Sequence, residues 1–353
     1  MATIPEPTAL DQAIFATRIA PFLPSRIIDI HTHIWVKDPN APQPLRQRLV
    51  AWPALVAADN SIEDLRATYR LLFPGIEVVP MMFGHLNNRS ADFASGNRYV
   101  ADQVRRYGYH GLMYARPDWS ADELVAQLRT GPYRGVKVYL SLADASLAVN
   151  DITIFDFLPH HQLAALNELG LIVMLHIPRD GRLRDPVNIA QMLEIERRYP
   201  KVRLIIAHVG RAYCNEDMGD ALEVLGRETQ RMVFDFSANT NATVFAELIR
   251  RVGPRRILFG SDFPIVRMRL RRICEHGMYI NLVPKGLYGD VSGDSHMREV
   301  AGPEAARITY FIYEEILAFL AAAETTGLKP ADITDVFCHN AERLLASALP
   351  LGQ

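Results

Sequence analysis

Two histidines separated by one residue give this chain its first candidate chemistry. His31 and His33 directly follow Ile27–Ile30, a stretch rich in the β-branched residues that favour strands. Because successive side chains of a strand point to opposite faces, both imidazoles lie on the same side. Two imidazoles at one strand end can bind a divalent metal ion, and imidazole suits zinc and its neighbours. Such a pair also arises by chance, so a metal site needs further ligands elsewhere in the chain.

Eight short apolar runs, each followed by a helix-period segment, are the elements that could position such ligands. These predicted strands are Arg26–Ile30, Glu77–Met82, Gly111–Ala115, Gly135–Leu140, Leu171–Leu175, Val202–Ala207, Met232–Phe236 and Arg256–Phe259. Strands that alternate with helices predict a parallel sheet with helices on its faces. Capping signals predict helix starts at Ser61, Ser120 and Asp185. Composition does not shift sharply anywhere, so we predict a single domain.

Polar residues at the ends of other strands complete a candidate metal site. His176 ends the fifth predicted strand, His208 ends the sixth and Asp262 follows the eighth. A single histidine at a strand end is more often structural, but four histidines and an aspartate at the same end of such elements favour a metal site. Strands one and eight can share an ion only as neighbours, which an eight-stranded barrel achieves at its C-terminal face. We therefore predict the α/β class and a (β/α)8 TIM barrel.

The predicted ligands are three imidazoles and one carboxylate, those of His31, His33, His176 and Asp262. This set leaves room for a water molecule, whose pKa a zinc ion lowers from about 15.7 to near 7. Asp262 could bind the ion with one oxygen and take the proton of the water with the other, as a catalytic residue. His208, the second predicted catalytic residue, would polarise a substrate carbonyl or complete a second metal site.

The same segments resemble the amidohydrolase superfamily, in particular the amidohydrolase-related (amidohydrolase 2) branch of metal-dependent TIM-barrel hydrolases and decarboxylases. The resembling segments are residues 28–33, 135–137, 174–176, 206–210, 258–264 and 340–345, in the order of the family. The resemblance implies a distorted barrel and carries the four ligands over, with His208 as the catalytic histidine of single-metal members. In two-metal relatives a carboxylated lysine of the fourth strand bridges the ions, and Lys137 lies on that strand. We expect one divalent ion, zinc first with manganese or iron as alternatives, and name Lys137 as the candidate bridge to a second metal.

Longer segments surround the predicted barrel. Residues 1–25 are expected to form an N-terminal arm and residues 26–345 the barrel. Two long loops, 34–60 after the first strand and 265–302 after the eighth, lie on the same C-terminal face, where such loops are usually functional. The second is predicted to be a lid-like insertion whose run of arginines has helical character. Two extra C-terminal helices, Pro303–Ala323 and Pro330–Ala348, close the chain.

Further polar and aromatic residues crowd the predicted mouth of the barrel. Arg179 and Arg211 each lie three residues beyond a site histidine. Guanidinium groups bind carboxylates bidentately, so we expect a small substrate that bears a carboxylate; pairing with acidic residues of the rim is the alternative. Tyr139 and Trp35 could flank a ring or acyl chain, and His85 could face the mouth, with plain packing as the alternative for each.

Three functional interpretations remain open. The first is a hydrolase in which metal-bound hydroxide attacks an ester, lactone or amide of a small anionic substrate. The alternative is a metal-dependent non-oxidative decarboxylase, a carbon–carbon lyase, of an aromatic or unsaturated carboxylic acid. The third, a barrel that only binds a ligand, is disfavoured because the whole polar set is present.

Composition excludes several partner classes. The net charge of −2 over 353 residues gives no general attraction to nucleic acid or anionic membranes. No apolar run approaches the roughly 18 residues of a membrane span, and the N-terminus has no secretory pattern. Cys214, Cys274 and Cys338 are far apart without a CxxC motif, which predicts no disulfide framework and a reducing, cytoplasmic location. The sequence does not determine the oligomeric state; a homodimer is expected from the resemblance alone.

Overall fold

Eight parallel strands form the central sheet of the computed structural model, which describes residues 6–36, 56–57, 59–85 and 93–351. Each strand pairs with the next along the chain. The strands are β1 (Arg26–His33), β2 (Glu77–Phe83), β3 (His110–Tyr114), β4 (Tyr133–Val138), β5 (Ile172–Leu175), β6 (Arg203–Ile206), β7 (Val233–Asp235) and β8 (Ile257–Leu258).

Hydrogen bonds between β1 and the segment around β8 bring the first and last strands together. The Ile30 N–H donates to the Phe259 carbonyl at 3.0 Å, and the His33 N–H donates to the Phe263 carbonyl at 2.9 Å. The sheet is therefore a nearly closed barrel with helices between its strands, which confirms the predicted (β/α)8 TIM barrel. Side chains at the C-terminal ends of β1 and β8 consequently face the same space.

Helices precede the first strand, connect successive strands and follow the eighth. They are α1 (Ala9–Ile14), α2 (Ile62–Leu72), α3 (Phe93–Tyr107), α4 (Ala121–Leu128), α5 (His160–Leu169), α6 (Pro186–Arg198), α7 (His208–Arg211), α8 (Ala221–Glu228), α9 (Ala242–Val252), α10 (Gly302–Ala305), α11 (Phe311–Thr326), α12 (Pro330–Thr334) and α13 (Asn340–Ala346). The predicted starts at Ser61, Ser120 and Asp185 are confirmed, because each side chain accepts a hydrogen bond from a first-turn N–H. No helix in the described ranges is both long and apolar enough to cross a membrane.

The insertion after β8 folds as a three-stranded sheet rather than a helix. Its strands are β9 (Arg271–Glu275), β10 (Met278–Pro284) and β11 (Met297–Val300), in the order β11–β10–β9. The predicted helical character of the arginine run is wrong, because β9 and β10 pair as an antiparallel hairpin. His276 and Gly277, with φ of 51° and 75°, form the two-residue turn that such a hairpin needs.

Two other predicted segments differ from the structure or lie outside it. The single helix predicted over Pro303–Ala323 is interrupted, because Tyr310 pairs with Arg269 in an isolated bridge between α10 and α11. The predicted loop 34–60 falls largely outside the described residues.

A disulfide joins the insertion to the barrel. Cys214, after α7, bonds Cys274 of β9 with their Cα atoms 5.8 Å apart, whereas Cys338 is a buried free thiol. The predicted absence of disulfides is therefore wrong, and the reducing location inferred from it loses that support. A separation of 60 residues gives no motif, and only the folding of β9 against the loop after β6 brings the two thiols together.

Candidate metal centre

Imidazole nitrogens and one carboxylate converge at the C-terminal end of the barrel. Nε2 of His33 lies 3.2 Å from Oδ1 of Asp262, and Nε2 of His31 lies 3.4 Å from the same oxygen. His208 joins them, since one ligand atom from each of His31, His208 and Asp262 lies within 4.8 Å of the others. The structure thus brings three of the four predicted ligands together and adds His208 to their group.

His176, the fourth predicted ligand, lies beside this group. Its ring centroid is 5.4 Å from that of His208 and 4.4 Å from that of Tyr139. Its Nδ1 atom is buried and has no hydrogen-bond partner among the described residues. Because no acceptor in this part of the chain fixes its tautomer, either ring nitrogen of His176 can provide the lone pair of a metal ligand.

Backbone carbonyls fix the tautomers of two other rings. Nδ1 of His33 lies 2.9 Å from the Gly84 carbonyl oxygen, and Nδ1 of His208 lies 2.9 Å from the Ser237 carbonyl oxygen. A carbonyl can only accept, so each Nδ1 carries the hydrogen. With the hydrogen on Nδ1, the Nε2 atom of an uncharged ring presents a lone pair to the inner side of the site.

Asp235 and Ser237, which the sequence analysis missed, hold His31 in the same way. Asp235 is fully buried at the end of β7, and its Oδ2 lies 3.0 Å from Nδ1 of His31. Its Oδ1 accepts from the His208 N–H at 2.9 Å and from the Ser237 hydroxyl at 2.5 Å. The available signal was the Asp235-x-Ser237 spacing at a strand end, the same spacing as in His31-x-His33.

Burial and mutual contacts set the charges of the ligand group. Burial lowers the pKa of His31 to about 3 and also lowers the pKa of His208, so both rings are neutral at neutral pH. Burial alone would raise the pKa of Asp262, but its contacts with His33, His31 and His208 lower it to about 2. His31 and His208 are therefore neutral imidazoles facing a carboxylate, in the protonation states that metal binding requires.

A divalent cation fits this arrangement. Two Nε2 lone pairs and a carboxylate oxygen at 3.2–3.4 Å repel one another unless a proton or a cation lies between them. A tetrahedral ion with bonds of about 2.05 Å has ligand–ligand edges of about 3.3 Å, close to both separations. The donor chemistry and the spacing of His31, His33 and Asp262 therefore both suit a metal ion.

A left-handed backbone conformation orients the residues that follow β6 and β8. The turn His208–Arg211 has φ between 50° and 60° at all four residues, a conformation that costs L-residues roughly 1–2 kcal/mol each. Asp262 also has a positive φ of 64°, and its N–H donates to the His31 carbonyl at 2.7 Å. Strain of this kind is typical of functional sites, where it aims side chains that relaxed backbone would not.

Lys137 lies buried among the ligand residues. It is 1% exposed, and its Nζ is 5.1 Å from the centroid of the Phe83 ring, without a hydrogen-bond partner among the described residues. Burial lowers the pKa of Lys137 to about 8, so the amine can lose its proton near physiological pH. Its role as a bridge to a second metal stays a prediction.

Comparison with known proteins identifies the family. A family model described as Amidohydrolase matches residues 28–278. The chain belongs to the amidohydrolase family. This confirms the resemblance found in the sequence and places the chain among metal-dependent enzymes that include hydrolases and decarboxylases. A search of curated proteins found no match.

Solved structures of low sequence identity share the barrel with this amidohydrolase. An amidohydrolase from Burkholderia multivorans with bound zinc is 15% identical, with a TM-score of 0.58 over 92% of this chain and 99% of that one. A probable 2-pyrone-4,6-dicarboxylic acid hydrolase from Acinetobacter baumannii with citric acid bound is 15% identical, with a TM-score of 0.55 over 90% and 98%. A 5-carboxyvanillate decarboxylase from Novosphingobium aromaticivorans, complexed with manganese and 4-hydroxy-3-methoxy-5-nitrobenzoic acid, is 12% identical, with a TM-score of 0.52 over 90% and 95%. At these identities the similarity shows the fold alone.

The ligand residues of the amidohydrolase line a cavity of about 530 Å³. Tyr139 and His85 also line it, and the Trp35 ring stacks on the His85 ring with centroids 4.2 Å apart. The volume is in the range of sites for small organic ligands. Of the three aromatic residues predicted to contact the substrate, Tyr139 and His85 thus line the cavity, and Trp35 contacts His85.

The arginines around the cavity of the amidohydrolase differ in their partners. Arg211 lines it and donates to backbone carbonyls, that of Pro178 at 3.0 Å, without an ion pair to any described carboxylate. Arg179 is not among the lining residues and instead donates to the Asp185 carboxylate at 3.0 Å, the alternative that the sequence analysis left open. Arg211 therefore has its charge available to a ligand, whereas that of Arg179 is neutralised.

Proposed function

We propose that this protein is a metal-dependent hydrolase that cleaves an ester, lactone or amide bond of a small, carboxylate-bearing substrate. The observation that carries the proposal is the position of Asp262. Its ionised carboxylate lies 3.2 Å and 3.4 Å from the Nε2 atoms of His33 and His31, in a cavity large enough for a small organic molecule. A carboxylate at this place can be a metal ligand and a proton acceptor in the same reaction.

The residues that would hold the metal ion are His31, His33, His176 and Asp262, with Nε2 of His208 as a further nitrogen donor within reach. A bound divalent ion lowers the pKa of water toward neutrality and polarises a substrate carbonyl. We propose zinc, with manganese or iron as alternatives, because nitrogen donors dominate the set.

Asp262 and His208 have separable tasks in this proposal. Asp262 receives the proton of the attacking water on the carboxylate oxygen that does not face the histidines. His208 donates its only proton, on Nδ1, to the Ser237 carbonyl. Its Nε2 therefore accepts a proton or binds the metal, so this tautomer favours the acceptor role over polarising a substrate carbonyl.

Metal analysis tests the first part of the proposal. Protein purified without chelator should contain about one equivalent of a transition metal, and His31→Ala should lose most of it. His161→Ala is the matched control, because that ring is exposed at the start of α5, lies 2.9 Å from the Trp119 carbonyl and is not among the residues that line the cavity. Full activity of metal-free protein would refute the proposal, and two equivalents would support the bridging prediction for Lys137.

Turnover of a panel of esters, lactones and amides of small carboxylic acids tests the reaction. Hydrolysis should occur for at least one member, and Asp262→Asn should lower kcat by at least 100-fold while retaining part of the metal. Binding of metal by Asp262→Asn together with an unchanged kcat would show that the carboxylate takes no proton.

A decarboxylase of an aromatic acid is the second candidate. The observation that favours it is the number of aromatic rings in the cavity wall, which include Tyr139, Tyr213, Tyr279 and Phe311. The relative from Novosphingobium aromaticivorans, complexed with a nitrobenzoic acid, supports the same substrate class. Release of CO2 from hydroxybenzoates without hydrolysis of any panel member would replace the hydrolase proposal with this one.

A further inference from the structure

The insertion after β8 supplies one wall of the cavity. Arg272 of β9, Tyr279 of β10 and His296 before β11 all line it. From the sequence alone, none of these residues was assigned a role of its own. Because the disulfide between Cys214 and Cys274 ties β9 to the barrel, this wall has a fixed position beside the metal centre.

Arg272 is the most firmly held side chain of this wall. Its Nε donates to Oδ1 of Asn281 at 2.9 Å, and its Nη1 donates to the Ala238 carbonyl at 2.6 Å. Packing on rings also orients the plane of the guanidinium. The guanidinium carbon lies 4.6–4.7 Å from the centroids of three rings: Tyr213, Tyr279 and Phe311.

The charge of Arg272 has no anionic partner in the described part of the chain. Its two acceptors are neutral oxygens and occupy two of the five guanidinium N–H groups. Arg182, in the same cavity, differs because it pairs with Asp217 at 2.7 Å. Glu315, the acid whose field reaches Arg272, forms no ion pair with it among the described residues, and burial raises the pKa of Glu315 well above its ordinary value, which disfavours its charged form. A partly buried cation without a counterion is costly, and a bound anion would remove that cost.

We propose that Arg272 binds a carboxylate of the substrate and so determines which anions the cavity accepts. The remaining N–H groups form a planar fork that matches the two oxygens of a carboxylate. The surrounding rings favour a flat substituent next to that carboxylate. This inference rests on the proposed function only for placing the reacting bond at the metal centre. Arg272 determines substrate specificity and takes no part in the chemical step.

Calorimetric titration of the metal-loaded protein with matched probes tests this role. The probes are benzoate and 4-hydroxybenzoate, each paired with the uncharged acetophenone of the same shape, and phenylphosphonate as a different anion. The variants are Arg272→Met and Arg272→Lys. The control is Arg271→Met, because Arg271 is the neighbouring arginine of β9, is 43% exposed and does not line the cavity.

Wild-type protein should bind each benzoate at least 10-fold more tightly than its acetophenone. Arg272→Met should weaken benzoate binding by about 10-fold to 100-fold, as expected for loss of a charged two-point hydrogen bond, and leave acetophenone binding unchanged. Arg272→Lys should retain part of the preference, since it keeps the charge but not the fork. Arg271→Met should behave as wild type.

Several results would overturn the inference. They are equal binding of benzoate and acetophenone by wild type, equal losses in Arg272→Met and Arg271→Met, equal losses of both probes in Arg272→Met, or tighter binding of phenylphosphonate than of benzoate. The readout needs no turnover. A failure to hydrolyse any ester, lactone or amide therefore leaves the carboxylate preference standing, and a lost preference leaves the hydrolase proposal standing.

Discussion

The replacement Asp235→Asn tests how the metal centre is built, because Asp235 holds His31 without facing the cavity. Asp235 accepts hydrogen bonds at four places: Nδ1 of His31 at 3.0 Å, the His208 N–H at 2.9 Å, the Ser237 N–H at 3.1 Å and the Ser237 hydroxyl at 2.5 Å. All four partners donate to a carboxylate that accepts at both oxygens. Burial alone would raise the pKa of Asp235, but His31 and Ser237 keep it below its ordinary value, so the group is ionised.

An asparagine side chain can accept hydrogen bonds with its oxygen but not with its NH2 group, so only one of its two terminal atoms can serve these donors. If its NH2 replaced Oδ1, that group would meet three donors, the N–H groups of His208 and Ser237 and the Ser237 hydroxyl. If it replaced Oδ2, it would meet only Nδ1 of His31. The second placement is less costly, and it forces His31 to accept at Nδ1 and to carry its hydrogen on Nε2. The Nε2 lone pair that faces Asp262 would then be lost.

The expected loss of metal affinity is large and specific. Removal of a residue that orients a metal ligand typically costs 10-fold to 100-fold in affinity, and here a ligand lone pair is lost as well. We therefore expect the zinc Kd to rise by about 100-fold, equivalent to about 2.7 kcal/mol. Zinc competition with a chelator measures the Kd, and nitrogen NMR of the imidazoles reports the tautomer of His31 directly.

Asp11→Asn is the matched control for this experiment. Asp11 is also fully buried and also paired, but with Arg269, and it is not part of the metal centre. The replacement Asp11→Asn should lower the free energy of unfolding and leave the zinc Kd unchanged. Wild-type zinc affinity in Asp235→Asn, with His31 still protonated on Nδ1, would refute the reasoning.

Two further predictions concern stability. Without reductant, one thiol per chain, that of Cys338, should react after denaturation. Replacing both Cys214 and Cys274 by serine should lower the unfolding free energy by about 4 kcal/mol, because the disulfide closes a loop of 60 residues and restricts the unfolded chain. An unchanged midpoint of urea unfolding would contradict this prediction. Burial alone would raise the pKa of Asp11, but its hydrogen bonds, led by that from Arg269, lower this pKa below its ordinary value. The ionised carboxylate therefore stabilises the fold above the pKa that Asp11 has in the unfolded chain. This stabilisation is lost as the pH falls through the pKa of Asp11 in the folded protein. Asp11→Asn should therefore be about 3 kcal/mol less stable than wild type at pH 7 and approach it below about pH 4, whereas a pH-independent difference would argue against the pair.

The barrel and most of the candidate metal centre could be predicted because their signals are local. An apolar run of four to eight residues followed by a helix-period segment specifies a strand and its successor without knowledge of distant contacts. A polar residue at the end of such a run, as at His176, His208 and Asp262, is then placed at the C-terminal face by the fold class itself. Even the closure of β8 against β1 followed from the requirement that His31 and Asp262 share one ion.

What could not be predicted depends on contacts between residues far apart in the sequence. Asp235 is 204 residues from His31, and an acid at the end of a short strand is equally typical of a turn. The pairing of Cys214 with Cys274 requires the hairpin of β9 and β10, whose run of arginines obscures the alternation expected of a strand. The choice of Arg272 over Arg271 as the cavity residue depends on which face of β9 meets the barrel, and the sequence leaves that orientation open.

The segment at the end of β7 links these predicted and unpredicted parts. Asp235 orients His31 with its side chain, and Ser237 holds His208 through its backbone carbonyl. The Ala238 carbonyl accepts a hydrogen bond from Arg272, and the Ala238 N–H donates to the Glu315 carboxyl group at 2.6 Å. Ala238 has a positive φ of 49°, so the backbone at this residue adopts the left-handed conformation. Since any residue offers a carbonyl, the contact with Arg272 imposes no side chain on this position. Side chains of the insertion can therefore change without altering the groups that orient His31 and His208.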